Sequence, residues 1–107
     1  MSSLWEILVP KRLPNSESDI EPTFHQQWDA MVRQITGGLT ILHSARGQWI
    51  TPEGELESEK MIPVRIICTE SEIEKIADIT SSHYKQRAVM YYKVTDEVKV
   101  KHYPLII

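Results

Sequence analysis

Cysteine is nearly absent from this 107-residue chain: Cys68 stands alone, so no internal disulfide can form. That points to a reducing, cytoplasmic setting. The N-terminus has neither the basic start nor the apolar run of a secretory leader. No apolar stretch approaches the roughly 20 residues that span a bilayer, so no membrane partner is expected. Charge of one sign is lacking too. A formal net charge of −3 supplies no positive field for phosphate backbones, which disfavours nucleic acid as a partner. Nucleophile motifs, glycine-rich phosphate loops, internal repeats and low-complexity segments are all missing, and no cofactor is implied. His25, His43, His83 and His102 fall on separate elements without the short spacings of a zinc site, so no metal is expected.

What remains is enough for one modest core, since a chain this long buries roughly two-thirds of its unfolded surface. One domain is expected over residues 1–107, with 11–22, polar and proline-containing, as a surface loop. "LWEILVP", Leu4 to Pro10, reads as a first strand. In "TFHQQWDAMVRQITGG", Phe24, Trp28, Met31, Val32 and Ile35 recur at helical spacing. Thr23 and Gln26 have the form of a capping box, and Gly37 or Gly38 can close the helix. A second helix is predicted near Ser71–Lys85, with Thr69 and Glu72 as its capping box and Ile73, Ile76, Ala77, Thr80 and Tyr84 facing inward.

Between the helices, "TPEGE" (Thr51 to Glu55) is a turn signal that makes a hairpin of its flanks. Gly47 is expected to mark a bulge in the outgoing strand, and Pro63 demands an edge or another irregularity in the returning one. Glu53, Glu55, Glu57 and Glu59 alternate as a solvated edge would, while Trp49 is expected to pack. "AVMYYKV" is a strand, "TDE" a turn, and "VKVKHY" a last strand. The fold class is therefore α+β: a ferredoxin-like βαββαβ antiparallel sheet with two helices on one face and an extra C-terminal strand.

Across Leu39 to Val94 the run "GLTIL…GQW…PV…IEKIA…Y…Q…AVMYY" resembles a family of small bacterial proteins, a domain-of-unknown-function family. The carrying residues are Gly38, Leu39 and Thr40, then Gly47, Gln48 and Trp49, then Tyr84 and Gln86. The resemblance implies a ferredoxin-like fold and no established activity, so it brings no catalytic residue.

Two lone charges interrupt apolar strands: Glu6 in "LWEIL" and Arg65 in "PVRII". In the ferredoxin-like order their strands are neighbours, so the two are expected to pair on the sheet face away from the helices. Tyr91 and Tyr92 differ in parity, so one of them shares that face. His43, at a strand end, is a further pocket candidate or a bulge cap. His25 and His83, beside polar neighbours, read as solvated, and Cys68 as a buried, inert thiol. Both parities of several strands are apolar, so both sheet faces need covering and a dimer or larger assembly is expected. The leading reading is a homo-oligomeric small-molecule binding or sensing protein. The alternatives are a cofactor-free oxygenase or isomerase-like enzyme, with Glu6, Arg65, His43 and a tyrosine as clamp and acid or base, and a protein-interaction regulator or inhibitor.

Overall fold

In the computed structural model, which describes residues 1–105, the elements follow the order β1 (Ser3–Pro10), α1 (Pro22–Thr36), β2 (Thr40–Ile41), β3 (Ala45–Ile50), β4 (Leu56–Cys68), α2 (Glu70–Tyr84) and β5 (Tyr91–Thr95). β4 and β1 lie side by side at the centre. β5 flanks β1, while β2 and β3 share the other side of β4, and every pairing is antiparallel. This is the ferredoxin-like α+β arrangement, with its second strand broken in two.

Alternation along β1 sends Trp5, Ile7 and Val9 to the helix side, where Val64, Ile66 and Cys68 of β4 join them. Trp28 and Val32 of α1 and Ile73, Ile76, Ala77 and Tyr84 of α2 close this core from above. The indole N–H of Trp28 donates to Thr80 Oγ1 at 2.9 Å, and that hydroxyl donates to the Ile76 carbonyl at 2.6 Å, so the buried polar atoms between the helices are satisfied.

The α2 capping box is present: Glu72 N–H donates to Thr69 Oγ1 at 3.2 Å, and Thr69 N–H to Glu72 Oε1 at 2.9 Å. The one expected for α1 is not. That helix starts a residue earlier, with Pro22 in its first turn and Glu21 at the cap without a side-chain bond. Proline's fixed φ and missing N–H suit the first turn without a cap. Gly37, at φ 87°, ends α1 in the left-handed region as the sequence predicts.

The break in the second strand lies at 42–44, not at Gly47. From Ile41 to Ala45 the chain takes four steps while its partners Val64 to Met61 take three, so one extra residue is accommodated there. Leu42 N–H donates to the Pro63 carbonyl at 2.9 Å, so the side of Pro63 that lacks an N–H faces this irregularity. Gly47 pairs regularly with Glu59; a Cβ there would sit 2.6 Å from Met61 Cε, the far end of a flexible side chain, so neither a bulge nor backbone crowding calls for glycine at this position.

Two further expectations fail. Trp49 is 43% exposed, because β3 packs chiefly on β4 and neither helix is among its main neighbours. Val98–Tyr103 forms no strand. Asp96 is held by Ser3 Oγ at 2.8 Å and Lys93 Nζ at 3.1 Å, and Glu97 N–H turns to Thr95 Oγ1. These contacts direct the chain away from β5, whose outer edge stays unpaired among the described residues. The molecule is long, 57 × 29 × 23 Å, with a radius of gyration of 15.7 Å against about 13 Å for a compact chain of this length. No helix among the described residues is long and apolar enough to cross a membrane.

Candidate functional site

On the sheet face away from the helices, cross-strand register places Glu6 between Arg65 of β4 and Tyr92 of β5. Arg65 Nε donates to Glu6 Oε1 at 2.9 Å, and the Tyr92 hydroxyl donates to Oε2. Both carboxylate oxygens are thus engaged, and the Glu6 side chain is only 9% exposed, against 43% for Arg65. The guanidinium spends Nε on this bond, while its terminal amino groups make no hydrogen bond among the described residues. Beside them is a cavity of about 390 Å³, walled by Leu4, Thr36, Leu39, Thr40, Arg65 and Ile67. Around this polar centre the face is apolar and open: Ile67, Met90, Tyr92 and Val94 are all exposed.

The other residues singled out in the sequence do not join this cluster. Tyr91 points to the helix side, its ring 6.2 Å from that of Trp5. His43 is exposed in the break between β2 and β3 and lines none of the five main cavities of the described residues. Nor do the described residues gather three His, Cys, Asp or Glu side chains that could hold a metal.

A second, larger cavity of about 500 Å³ opens on the helix side. Its floor is Val9, Ile62 and Val64, with Ile41 at one side; its roof is the 11–21 loop and the first turns of α1. The loop is tied down by Lys11 N–H to the Lys60 carbonyl at 3.1 Å and Ile20 N–H to the Lys11 carbonyl at 2.9 Å. Arg12 Nε also grips Asp19 Oδ1 at 3.0 Å, and this bond lowers the Asp19 pKa.

Inside the cavity, His25 Nδ1 lies 2.6 Å from the Tyr84 hydroxyl. Burial pulls the His25 pKa down and pushes that of Tyr84 up, so at neutral pH a neutral imidazole and a neutral phenol share this hydrogen bond. Asp29, one turn along α1, also has a raised pKa through burial, offset by the charge of Arg33. His83 is not solvated either: its ring stacks on Phe24 at 4.0 Å, and Nε2 donates to the Phe24 carbonyl at 2.7 Å.

The sequence contained a signal for His25. It stands three residues before Trp28 and seven before Val32, on the same helical face, but its polar neighbours obscured that position. Nothing in the local pattern foretold the cavity, which depends on how the 11–21 loop folds back.

No protein-family model matches the chain, and no curated protein matches it in sequence. Solved structures do match. The periplasmic divalent cation tolerance protein CutA from Archaeoglobus fulgidus superposes with a TM-score of 0.67 at 10% identity, over 94% of this chain and 89% of that one. The divalent cation tolerance protein Cut A1 from Thermus thermophilus gives 0.66 at 9% identity, over 95% and 88%. A phage SAM lyase in complex with S-methyl-5'-thioadenosine gives 0.64 at 14% identity, over 88% and 89%. These neighbours carry names of their own and are not a family without function, so the resemblance read from Leu39 to Val94 is upheld only in its fold. Identities this low establish shared architecture alone: the chain has the ferredoxin-like fold of CutA1 proteins and of a phage lyase.

Proposed function

We propose that the chain is a homo-oligomeric small-molecule binding or sensing protein in which another copy covers the open sheet face. The observation that supports this best is the state of Glu6. A carboxylate this buried, with both oxygens bonded, sits at the centre of a face that is otherwise apolar and uncovered within one copy. Exposed apolar residues gathered on one face are the mark of an interaction surface. Glu6 holds Arg65 through Nε, and Arg65 lines the cavity beside Leu4, Thr40 and Ile67, where a guanidinium with unbonded terminal amino groups suits an anionic group of a ligand. Cytoplasmic placement belongs to the same proposal and rests on Cys68, a free and buried thiol. The divalent-cation reading raised by the neighbours' names has less support, because within one copy no metal-ligating triplet forms among the described residues.

Native mass spectrometry of protein freshly purified from its own host tests the proposal. It expects a multiple of the chain mass carrying an additional small-molecule mass, the latter reduced in Arg65→Met. A bare single-chain mass would overturn it.

A further inference from the structure

The helix-side cavity lies wholly within one copy, on the opposite face of the sheet from Glu6, and the proposed assembly does not use it. Its volume of about 500 Å³ falls within the usual range for small-molecule sites, roughly 300–1,000 Å³. The walls are apolar, supplied by Val9, Trp28, Ile41, Ile62 and Val64. Polar groups meet at one end. Tyr84 pins His25 through Nδ1, while Nε2 has no partner among the described hydrogen bonds, and neither does the half-buried Asp29 carboxylate.

The charges decide which ligand head fits. Three carboxylates, Asp19, Glu21 and Asp29, line the cavity against one cation, Lys11. Asp19 is already answered by Arg12 and Lys11, at 3.0 and 3.8 Å. Arg33 acts on Asp29 from outside the lining and makes no ion pair with it among the described residues. The start of α1 provides little for an anion: Pro22 has no N–H, and Phe24 N–H turns back to the Glu21 carbonyl at 3.0 Å.

We propose that this cavity binds a small apolar molecule carrying an ammonium group, its apolar body against Trp28, Ile62 and Val64 and its nitrogen at Asp29. The ammonium supplies the ion-pair partner that the half-buried Asp29 carboxylate does not have among the described residues. The apolar body covers Ile41 and Ile62, the strand residues of the lining that keep exposed surface. A carboxylate of the same shape meets Asp29 and Glu21 and is rejected.

Titration of the full-length ¹⁵N-labelled protein with 2-(1-naphthyl)ethylamine and, separately, with 1-naphthylacetate tests this. The amine is expected to shift the Trp28 indole and Val64 amide signals and to bind about tenfold more tightly than the acid, a difference of about 1.4 kcal/mol. Asp29→Asn is expected to erase that preference while the amine still binds, with the Trp28 indole signal of the free protein unchanged as a check on folding. Ile62→Trp, which fills the cavity, is expected to abolish the shifts. Equal binding of the acid, shifts confined to other residues, or no shift with the amine up to about 5 mM, a concentration at which affinity is negligible, would each overturn the proposal. Loss of oligomerisation would leave this outcome untouched, so the two proposals fail separately.

Discussion

Replacing Arg65 by methionine keeps most of the side chain's apolar length and removes its charge, which isolates the demand Glu6 makes. In the native chain Glu6 receives Arg65 Nε on one oxygen and the Tyr92 hydroxyl on the other. The variant leaves a carboxylate that is 9% exposed with one neutral donor. If water could enter from the open face, the cost would stay near the 1–3 kcal/mol typical of an unsatisfied buried polar group (about 2 kcal/mol). With another copy covering that face, water is excluded and the uncompensated charge costs about 3–5 kcal/mol. The larger figure is the expected one. Urea melts at fixed chain concentration read it directly, provided the slope is unchanged. Glu6→Gln combined with Arg65→Met is expected to recover more than half of the loss, since the charge requiring a partner is gone. A loss of about 2 kcal/mol or less for Arg65→Met, the scale of a carboxylate that water still reaches, would refute the reasoning.

Other outcomes follow from single contacts. Thr69→Ala removes the observed cap of α2 and should cost about 1 kcal/mol in a urea melt. Thr23→Ala, at the site where the cap is absent, should cost less than about 0.5 kcal/mol. His25 is held neutral in the fold, its pKa depressed from 6.5 chiefly by burial. The unfolded chain therefore takes up a proton first, and stability present above that value is lost as pH falls toward the folded pKa. Melts between about pH 7 and pH 5.5 should show a loss in the wild type that is weaker in His25→Gln; identical slopes would contradict it. Burial pushes the Cys68 thiol up to about 11, so an aromatic disulfide reagent should label it only after denaturant is added.

Both helices and the strands are legible because each rests on local periodicity, and the Glu6–Arg65 pairing follows once their sequence order is recognised as ferredoxin-like. Thr69 with Glu72 is a capping box in sequence and in space; parity separated Tyr91 from Tyr92, though not which of them faced Glu6. What was not legible depends on tertiary contact. Thr23 has a cap's composition, but Pro22 starts the helix ahead of it. Gly47 has a bulge residue's composition, but the unbroken register with β4 places the extra residue at 42–44 instead. Trp49 has a packing residue's composition, yet among the described residues β3 packs chiefly on β4 and the ring stays 43% exposed. The alternating Val98–Tyr103 segment has a strand's pattern without a ladder in one chain, and a pattern cannot supply the partner. The His25–Tyr84 pair joins two helices 59 positions apart, beyond the reach of any local spacing.

Sedimentation equilibrium of the wild type beside Ile67→Asp tests the central claim, that another copy covers the open sheet face. Ile67 is 43% exposed on that face and borders the Arg65 cavity, so a carboxylate there penalises a covering copy while leaving the core of one chain intact. The account expects a multiple of 12.4 kDa for the wild type at micromolar concentration and a fall to the single-chain mass in the variant. A wild type that sediments at 12.4 kDa, or a variant that keeps the full assembly, would contradict it.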